Sequence, residues 1–181
     1  MGHDRGGLGA ALRERVQSLD LIGTWAASTE RGIQGEPFQR DVEFLRRIVP
    51  YMERYARWFD AEVRGLEHVP DSGPVLLVGN HSGGILTPDT AAFIAAWYGT
   101  RGFDRPLAAL AFDGAFGLPW FNDLMRRIGE MPANRENARR ALAAGLPVLV
   151  YPGGDHECFR PWTDRNRVDL AGRRGFIELA L

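Results

Sequence analysis

The sequence predicts an α/β domain, a layered mixed sheet flanked by helices, and two observations carry that prediction. Two short apolar runs, PVLLV at residues 74–78 and VLVY at residues 148–151, read as buried strands, and each ends in a glycine-rich polar turn, GNHSGG and YPGGDHE. Segments of helical periodicity lie between them. Strands that finish in polar glycine turns, with helices intervening, place a site at the strand ends of a layered sheet.

The totals bound the rest. A chain of 181 residues, 45% hydrophobic and 25% charged, is the size of one globular domain with a core of its own. Its 22 basic and 23 acidic residues leave a net charge of −1, so no global field attracts nucleic acid, which is not expected as a partner. Every basic residue is Arg, which excludes a catalytic lysine. Cys158 is the sole cysteine, so no internal disulfide forms and a reducing compartment, the cytoplasm, is expected. No apolar run approaches the roughly 18 residues of a spanning helix, and the N-terminus carries no secretory pattern. A soluble protein, or one lying on a membrane surface, is the expectation.

In chain order, residues 1–40 read as an N-terminal extension, partly helical or flexible, with Leu8, Leu12, Val16 and Leu19 at helical spacing and a loop over 22–37. Residues 41–181 form the main domain. From Asp41 the residues Phe44, Leu45, Ile48, Val49, Met52, Tyr55, Trp58 and Phe59 make one apolar helical face. Pro50 either kinks that helix or opens a second one. Such a helix packs on the core or, given its arginines and aromatic end, lies on a membrane surface. Residues 62–69 are a weak strand candidate, and VPDSGP carries the turn chemistry to pair them as a hairpin with the apolar run that follows.

Thr87 is placed to cap the next helix, with Pro88 at its first position, Asp89 in its first turn and Tyr98 at its end. Residues 106–112 read as another buried strand or short segment. An apolar, partly helical cover follows, including Phe116, Trp120, Phe121 and Ile128, whose aromatics either wall a pocket or fill core. Asn134 caps a short helix that stops at Gly145, with Pro147 beyond. The last residues begin an amphipathic helix that ends at Leu181 with no cap, so the domain reads as cut short.

The chemistry concentrates in the first glycine turn. A neutral imidazole oriented by a carboxylate takes the proton from an attacking hydroxyl, and His81 with Asp89 are the candidates for that pair. Gly83 and Gly84 allow close backbone approach and N–H groups aimed at an oxyanion. The plain alternative is a histidine that only bonds locally.

Taken together, NHSGGILTPD, IGEMPANRENARRAL (128–142), YPGGDHE and GRRGF resemble, in order and spacing, the blocks of the glycerolipid acyltransferase superfamily, which includes the 1-acylglycerol-3-phosphate acyltransferases. The resemblance covers about residues 63–181. It implies that the His of an NHxxxxD motif activates an acceptor hydroxyl for attack on an acyl thioester, with His81 matching that His and Asn80 the Asn before it. The position five after His81 is Leu86, and the nearest following carboxylate is Asp89, at eight. Where the family commonly reads FPEGTR, this chain has Tyr151-Pro152-Gly153-Gly154-Asp155-His156-Glu157. That PGGxxE form is similar to the branch near diacylglycerol and plastid ester-forming acyltransferases. Without the Arg of that block, a fork for phosphate is missing and lysophosphatidic acid becomes a less expected acceptor. Arg135 matches the second-block Arg, placed to contact a phosphate or simply solvated.

The resemblance thus implies His81 and Asp89 as catalytic residues. Asn80, Ser82, Gly83, Gly84, Arg135, Gly153, Gly154 and Glu157 are the implied substrate-binding set. No metal and no cofactor are implied, acyl-CoA or acyl carrier protein being the donor substrate, a lipid hydroxyl the acceptor and the inner face of the membrane a candidate surface. The reaction is direct transfer, since Ser82 lacks the GxSxG elbow of a nucleophile. On this reading residues 41–181 are an acyltransferase-like catalytic domain, incomplete at its C-terminal end. Two other readings compete: a non-catalytic lipid-binding module of the same fold, and metal-dependent hydrolysis through His81, Asp89, Asp155, His156 and Glu157, which no HExxH-type spacing supports.

Overall fold

The computed structural model describes residues 38–181. The helical stripe and loop expected before residue 38 lie outside the described residues.

The first element is α1, Val42–Trp58, started by Asp41, whose carboxylate accepts from the Phe44 N–H at 2.9 Å. Pro50 lies inside this helix and does not divide it. The apolar face expected of α1 is in fact two faces. Leu45, Val49 and Ala56 are buried, whereas Trp58 stands 86% exposed. After Gly65, at φ 84, a single 3-10 turn, Leu66–His68, occupies the stretch expected as a strand. Leu66 is buried and Val63 and Val69 pack partly against the core, and residues 62–69 form no hairpin.

The strands are β1 (Val75–Val78), β2 (Ala108–Ala111), β3 (Glu130–Pro132) and β4 (Pro147–Val150). They lie in the order β1-β4-β2-β3. Every pairing is parallel, so the sheet among the described residues is parallel where a mixed one was expected, the hairpin having been its antiparallel part. The α/β class itself holds. Parallel strands require crossovers, and these are supplied by α2 (Pro88–Arg101), α3 (Pro119–Ile128) and α4 (Arg135–Ala143). Two short helices, α5 (Gly154–Cys158) and α6 (Gly175–Ala180), follow the last strand.

Alternation along the strands divides the core. Ala109 and Leu149 face a cluster with Leu45 and Val49 of α1 and with Ile94, Trp97 and Tyr98 of α2. Ala108 and Val148 face the other way, toward Met131 and Ala141 of α4. Each large side chain fully buried in these layers contributes about 1.5–3 kcal/mol. α2 runs past the expected end at Tyr98 to Arg101, and the Trp97 indole N–H, buried on it, donates to the Arg105 carbonyl at 3.0 Å. Asn134 caps α4 through an acceptor bond from the Asn137 N–H at 2.8 Å. Among the described residues no helix is long and apolar enough to cross a membrane.

One consequence of this strand order governs the site. β1 and β4, more than sixty residues apart in sequence, are neighbours with Val78 opposite Val150, and the Gly79 N–H donates to the Val150 carbonyl at 3.0 Å. The two glycine turns therefore leave the sheet side by side.

Candidate functional site

The turn after β1 carries His81 and closes on the start of α2. The His81 Nδ1 lies 2.8 Å from Asp89 Oδ2. The same oxygen accepts the Ser82 N–H at 2.8 Å, and Oδ1 accepts the Thr90 N–H at 2.8 Å. Burial of Asp89 works to raise its pKa, but the bonds from His81 and Ser82 outweigh it and hold the carboxyl below its usual range. Its place in the first turn of α2 favours the anion as well. A carboxylate only accepts, so Nδ1 carries the hydrogen and Nε2 is left with a free lone pair. The eight-residue interval is absorbed by a 3-10 turn, Gly84–Leu86, entered through Gly83 at φ 90. A side chain at position 83 is strained by that φ, and its Cβ would lie 2.2 Å from Pro88 Cδ. Thr87 stands at the N-cap position with φ 40, and its hydroxyl makes no capping bond, contrary to the expectation from sequence. The chain turns into α2 by backbone conformation and Pro88 instead.

The turn after β4 supports the first. Glu157 of α5 is 1% exposed, and its Oε2 accepts the His81 N–H at 2.9 Å. Its other oxygen takes Arg160 Nη1 at 3.3 Å. Both oxygens are thus engaged inside the protein, one by the His81 backbone and one by Arg160. Gly153 is required beneath it, since a Cβ there would lie 2.5 Å from the Glu157 Cβ. Cys158 Sγ donates to the Gly84 carbonyl at 3.0 Å, a second tie between the turns. The Tyr151 ring stacks on the His81 imidazole with centroids 4.4 Å apart and planes 13° apart, fixing its plane. Burial pushes the Tyr151 hydroxyl up to about 12, so it stays protonated at neutral pH.

The remaining candidates separate from this centre by role. Asn80 and Ser82 are exposed, with the Ser82 N–H committed to Asp89. Gly84 gives its carbonyl to Cys158. Gly154, at φ 49, lies against the Arg173 guanidinium, which donates to the Gly153 carbonyl and to Asp155 Oδ1, both at 2.8 Å. Arg135 is exposed at the start of α4 and pairs with Glu178 of α6 at 2.7 Å. His156 pairs with Asp169 at 3.3 Å. Among the described residues no three His, Cys, Asp or Glu side chains are grouped to hold a metal ion. The residues of the competing metal-dependent reading are thus spread over separate pairs. Tyr151 and Arg173 fall in the blocks YPGGDHE and GRRGF but are not among the site residues expected from sequence; the Tyr151 contact with His81 depends on β4 lying beside β1.

An oriented imidazole with a free Nε2, beside exposed apolar side chains at Ile85, Leu86 and Phe159, can deprotonate a hydroxyl carried by an apolar molecule. Comparison with known proteins gives the family. The family model described as Acyltransferase matches residues 60–181. An uncharacterized protein of Mycobacterium tuberculosis (strain H37Rv) is 34% identical over 148 residues, which is 81% of this chain and 41% of that protein. The human DGAT1/2-independent enzyme synthesizing storage lipids is 29% identical over 126 residues, 70% of this chain and 37% of its own length. The chloroplastic phytyl ester synthase 1 of Arabidopsis thaliana is 31% identical over 121 residues, 65% of this chain and 17% of its own. The chain spans about two fifths of the length of the first of these curated relatives. No solved structure matches it.

Proposed function

The chain belongs to the acyltransferase family, and from that premise we propose that it transfers a fatty acyl group from an acyl thioester, of coenzyme A or acyl carrier protein, to a hydroxyl of a glycerolipid or other lipid alcohol. His81 is the general base. The acceptor O–H donates to Nε2 and its oxygen attacks the thioester carbonyl carbon while the proton passes to the imidazole. Asp89 stabilises the imidazolium through Nδ1–H. The C–S bond then breaks, and the leaving sulfur takes the proton back, so the enzyme ends as it began. A positioned base of this kind contributes typically ~10² to 10⁴ in rate.

The observation that carries the proposal is the 2.8 Å contact between His81 Nδ1 and Asp89 Oδ2 despite the unusual spacing. Two others favour an acceptor without phosphate. Arg135 is engaged by Glu178, and the third block offers Asp155 bound to Arg173 where a free phosphate fork would stand. The named activities of the human and plant relatives, storage-lipid synthesis and phytyl ester synthesis, fit the same acceptor class.

The test is incubation of the protein with acyl-CoAs and a panel of diacylglycerols, lysophospholipids and long-chain alcohols, with products identified by mass. Ester formed on a phosphate-free alcohol and abolished by His81→Ala is the expected result. Equal turnover by a folded His81→Ala protein would refute the role given to His81. Preference for lysophosphatidic acid would refute the acceptor class.

A further inference from the structure

The hydrogen bonds of the site leave the His81 imidazole one free motion. Glu157 holds the backbone N–H, and Asp89 holds Nδ1 at one edge of the ring. A bond to a single ring atom fixes a distance but tolerates a range of angles, so the ring can swing about that atom and carry Nε2 with it. The remaining restraint is the Tyr151 ring, which lies flat against the imidazole with centroids 4.4 Å and planes 13° apart. A stacked face opposes tilt out of the plane, the motion that the hydrogen bonds permit.

The chain makes room for that ring at one position. Gly79 opens the first turn, and a Cβ there would lie 2.9 Å from Tyr151 Cε1 and 3.3 Å from Cδ1. Chain neighbours aside, no other residue lies within 4 Å of such a Cβ. Gly79 is not at positive φ, so the backbone itself makes no demand for glycine there. The missing side chain answers to the ring. The main chain on both sides is pinned as well, since the Gly79 N–H donates to the Val150 carbonyl at 3.0 Å and Val78 pairs with Val150. A side chain at position 79 therefore displaces the ring. At its far end the Tyr151 hydroxyl, kept protonated by burial, is turned to the Thr90 side chain. The Thr90 hydroxyl in turn reaches Asp89 Oδ1 at 3.4 Å. Tyr151 thus spans from the end of β4 to the same turn of α2 that carries Asp89.

We propose that Tyr151 is a positioning residue of the site: its ring, passed over Gly79, holds the face of the His81 imidazole so that Nε2 keeps one direction, and its hydroxyl is anchored at Thr90. This rests on the reading of His81 as the general base. The acceptor hydroxyl must meet the Nε2 lone pair along its axis, and a small misplacement of a reacting group lowers rate steeply. The effect therefore falls on kcat, with KM little moved.

The experiment joins kinetics to nuclear magnetic resonance of the histidine rings, the His81 signals being assigned by their loss in His81→Ala. In the wild type the His81 ring protons resonate upfield of those of exposed His68, as protons over an aromatic face do. Tyr151→Leu removes the upfield shift and lowers kcat about thirty-fold at unchanged KM. Tyr151→Phe keeps the shift and loses about three-fold in kcat, the part due to the hydroxyl. Gly79→Ala removes the shift and lowers kcat as Tyr151→Leu does. The double variant Gly79→Ala, Tyr151→Leu is no slower than Tyr151→Leu alone, because both substitutions act through one ring. All are compared below their circular dichroism melts, and should Tyr151→Leu not fold, Gly79→Ala against Tyr151→Phe makes the same contrast. A kcat kept when the shift is lost, a fall confined to KM, full additivity of the two substitutions, or a wild-type His81 signal without the upfield shift overturns the proposal. A shift abolished by Gly79→Ala and Tyr151→Leu and kept by Tyr151→Phe, in a protein that turns over no acceptor, would sustain the hold on the imidazole and defeat the acyltransferase reading.

Discussion

The two glycine turns leave neighbouring strands at the same end of the sheet, yet they are built for opposite purposes. The turn after β1 keeps its chemistry near the surface. His81 and Asp89 have side chains 14% and 20% exposed, and the loop joining them uses Gly83 and Thr87 at positive φ. The turn after β4 turns its carboxylate inward, leaving the Glu157 side chain without exposed surface and spending it on the His81 N–H. On the proposed reading one turn holds the reacting groups, and the other holds the first turn. A reactive loop needs freedom of conformation to present its atoms, and a buried charged bond from a rigid neighbour limits that freedom to one useful arrangement.

Substitutions can break this division. His81→Ala has the largest expected effect, a loss of about 10³-fold or more in turnover, read by thioester consumption, with little change in melting temperature. Asp89→Asn follows, at roughly 10²-fold in kcat/KM, because an amide no longer stabilises the imidazolium. Asp89 also carries a signature in stability. Its pKa is lower in the folded protein, so it stabilises the fold above the unfolded value of about 3.9 and that contribution disappears as pH falls through the folded value. Denaturant midpoints between pH 2 and pH 6 are therefore expected to be flatter for Asp89→Asn than for the wild type.

Glu157 sharpens the contrast, because its two substitutions are expected to differ. Glu157→Gln keeps an acceptor for the His81 N–H and retains most turnover. Glu157→Ala leaves that N–H and Arg160 without their buried partner, lowers turnover about ten-fold and costs roughly 3 kcal/mol of stability, measured by denaturant unfolding. A Glu157→Ala protein with full activity would show that the second turn is not a support. The smallest effect on catalysis belongs to Glu130, on β3 and outside both turns. It is buried, its Oε2 has no hydrogen-bond partner among the described residues, and burial pushes its pKa up to about 8. The folded protein thus holds a proton that the unfolded chain releases near pH 4.3, and stability falls as pH rises from about 4.3 toward 8. Glu130→Gln is expected to remove that decline, visible in melting temperatures across the interval, while leaving turnover near that of the wild type.

How far the sequence reveals these features depends on whether their cause is local. β1 and β4 announce themselves as apolar runs closed by glycine, and α4 by its Asn134 cap, because composition and capping act over a few residues. β3 reads EMP, with a glutamate and a proline in three residues, and becomes a strand only because β2 offers it an edge. The stretch before β1 misleads in the opposite sense: its apolar alternation suggests a strand, but Gly65 at φ 84 turns the chain and buries Leu66 instead. The nearness of Asp89 to His81 follows from a short loop and is open to inference. The stacking of Tyr151 and the inward reach of Glu157 depend on β4 lying beside β1, a long-range choice that no nearby residue encodes.

The loop between His81 and Asp89 bears on how such sites are found and rebuilt. Three residues beyond the usual interval, from Leu86 to Asp89, are taken up in one 3-10 turn, and the carboxylate still arrives 2.8 Å from Nδ1. A search pattern that demands the carboxylate five positions after the histidine passes over this chain. One that asks for an acid in the first turn of the next helix retains it. For an engineer the same turn is a place where length can vary while the reacting distance is kept, provided a residue free to adopt positive φ remains at position 83.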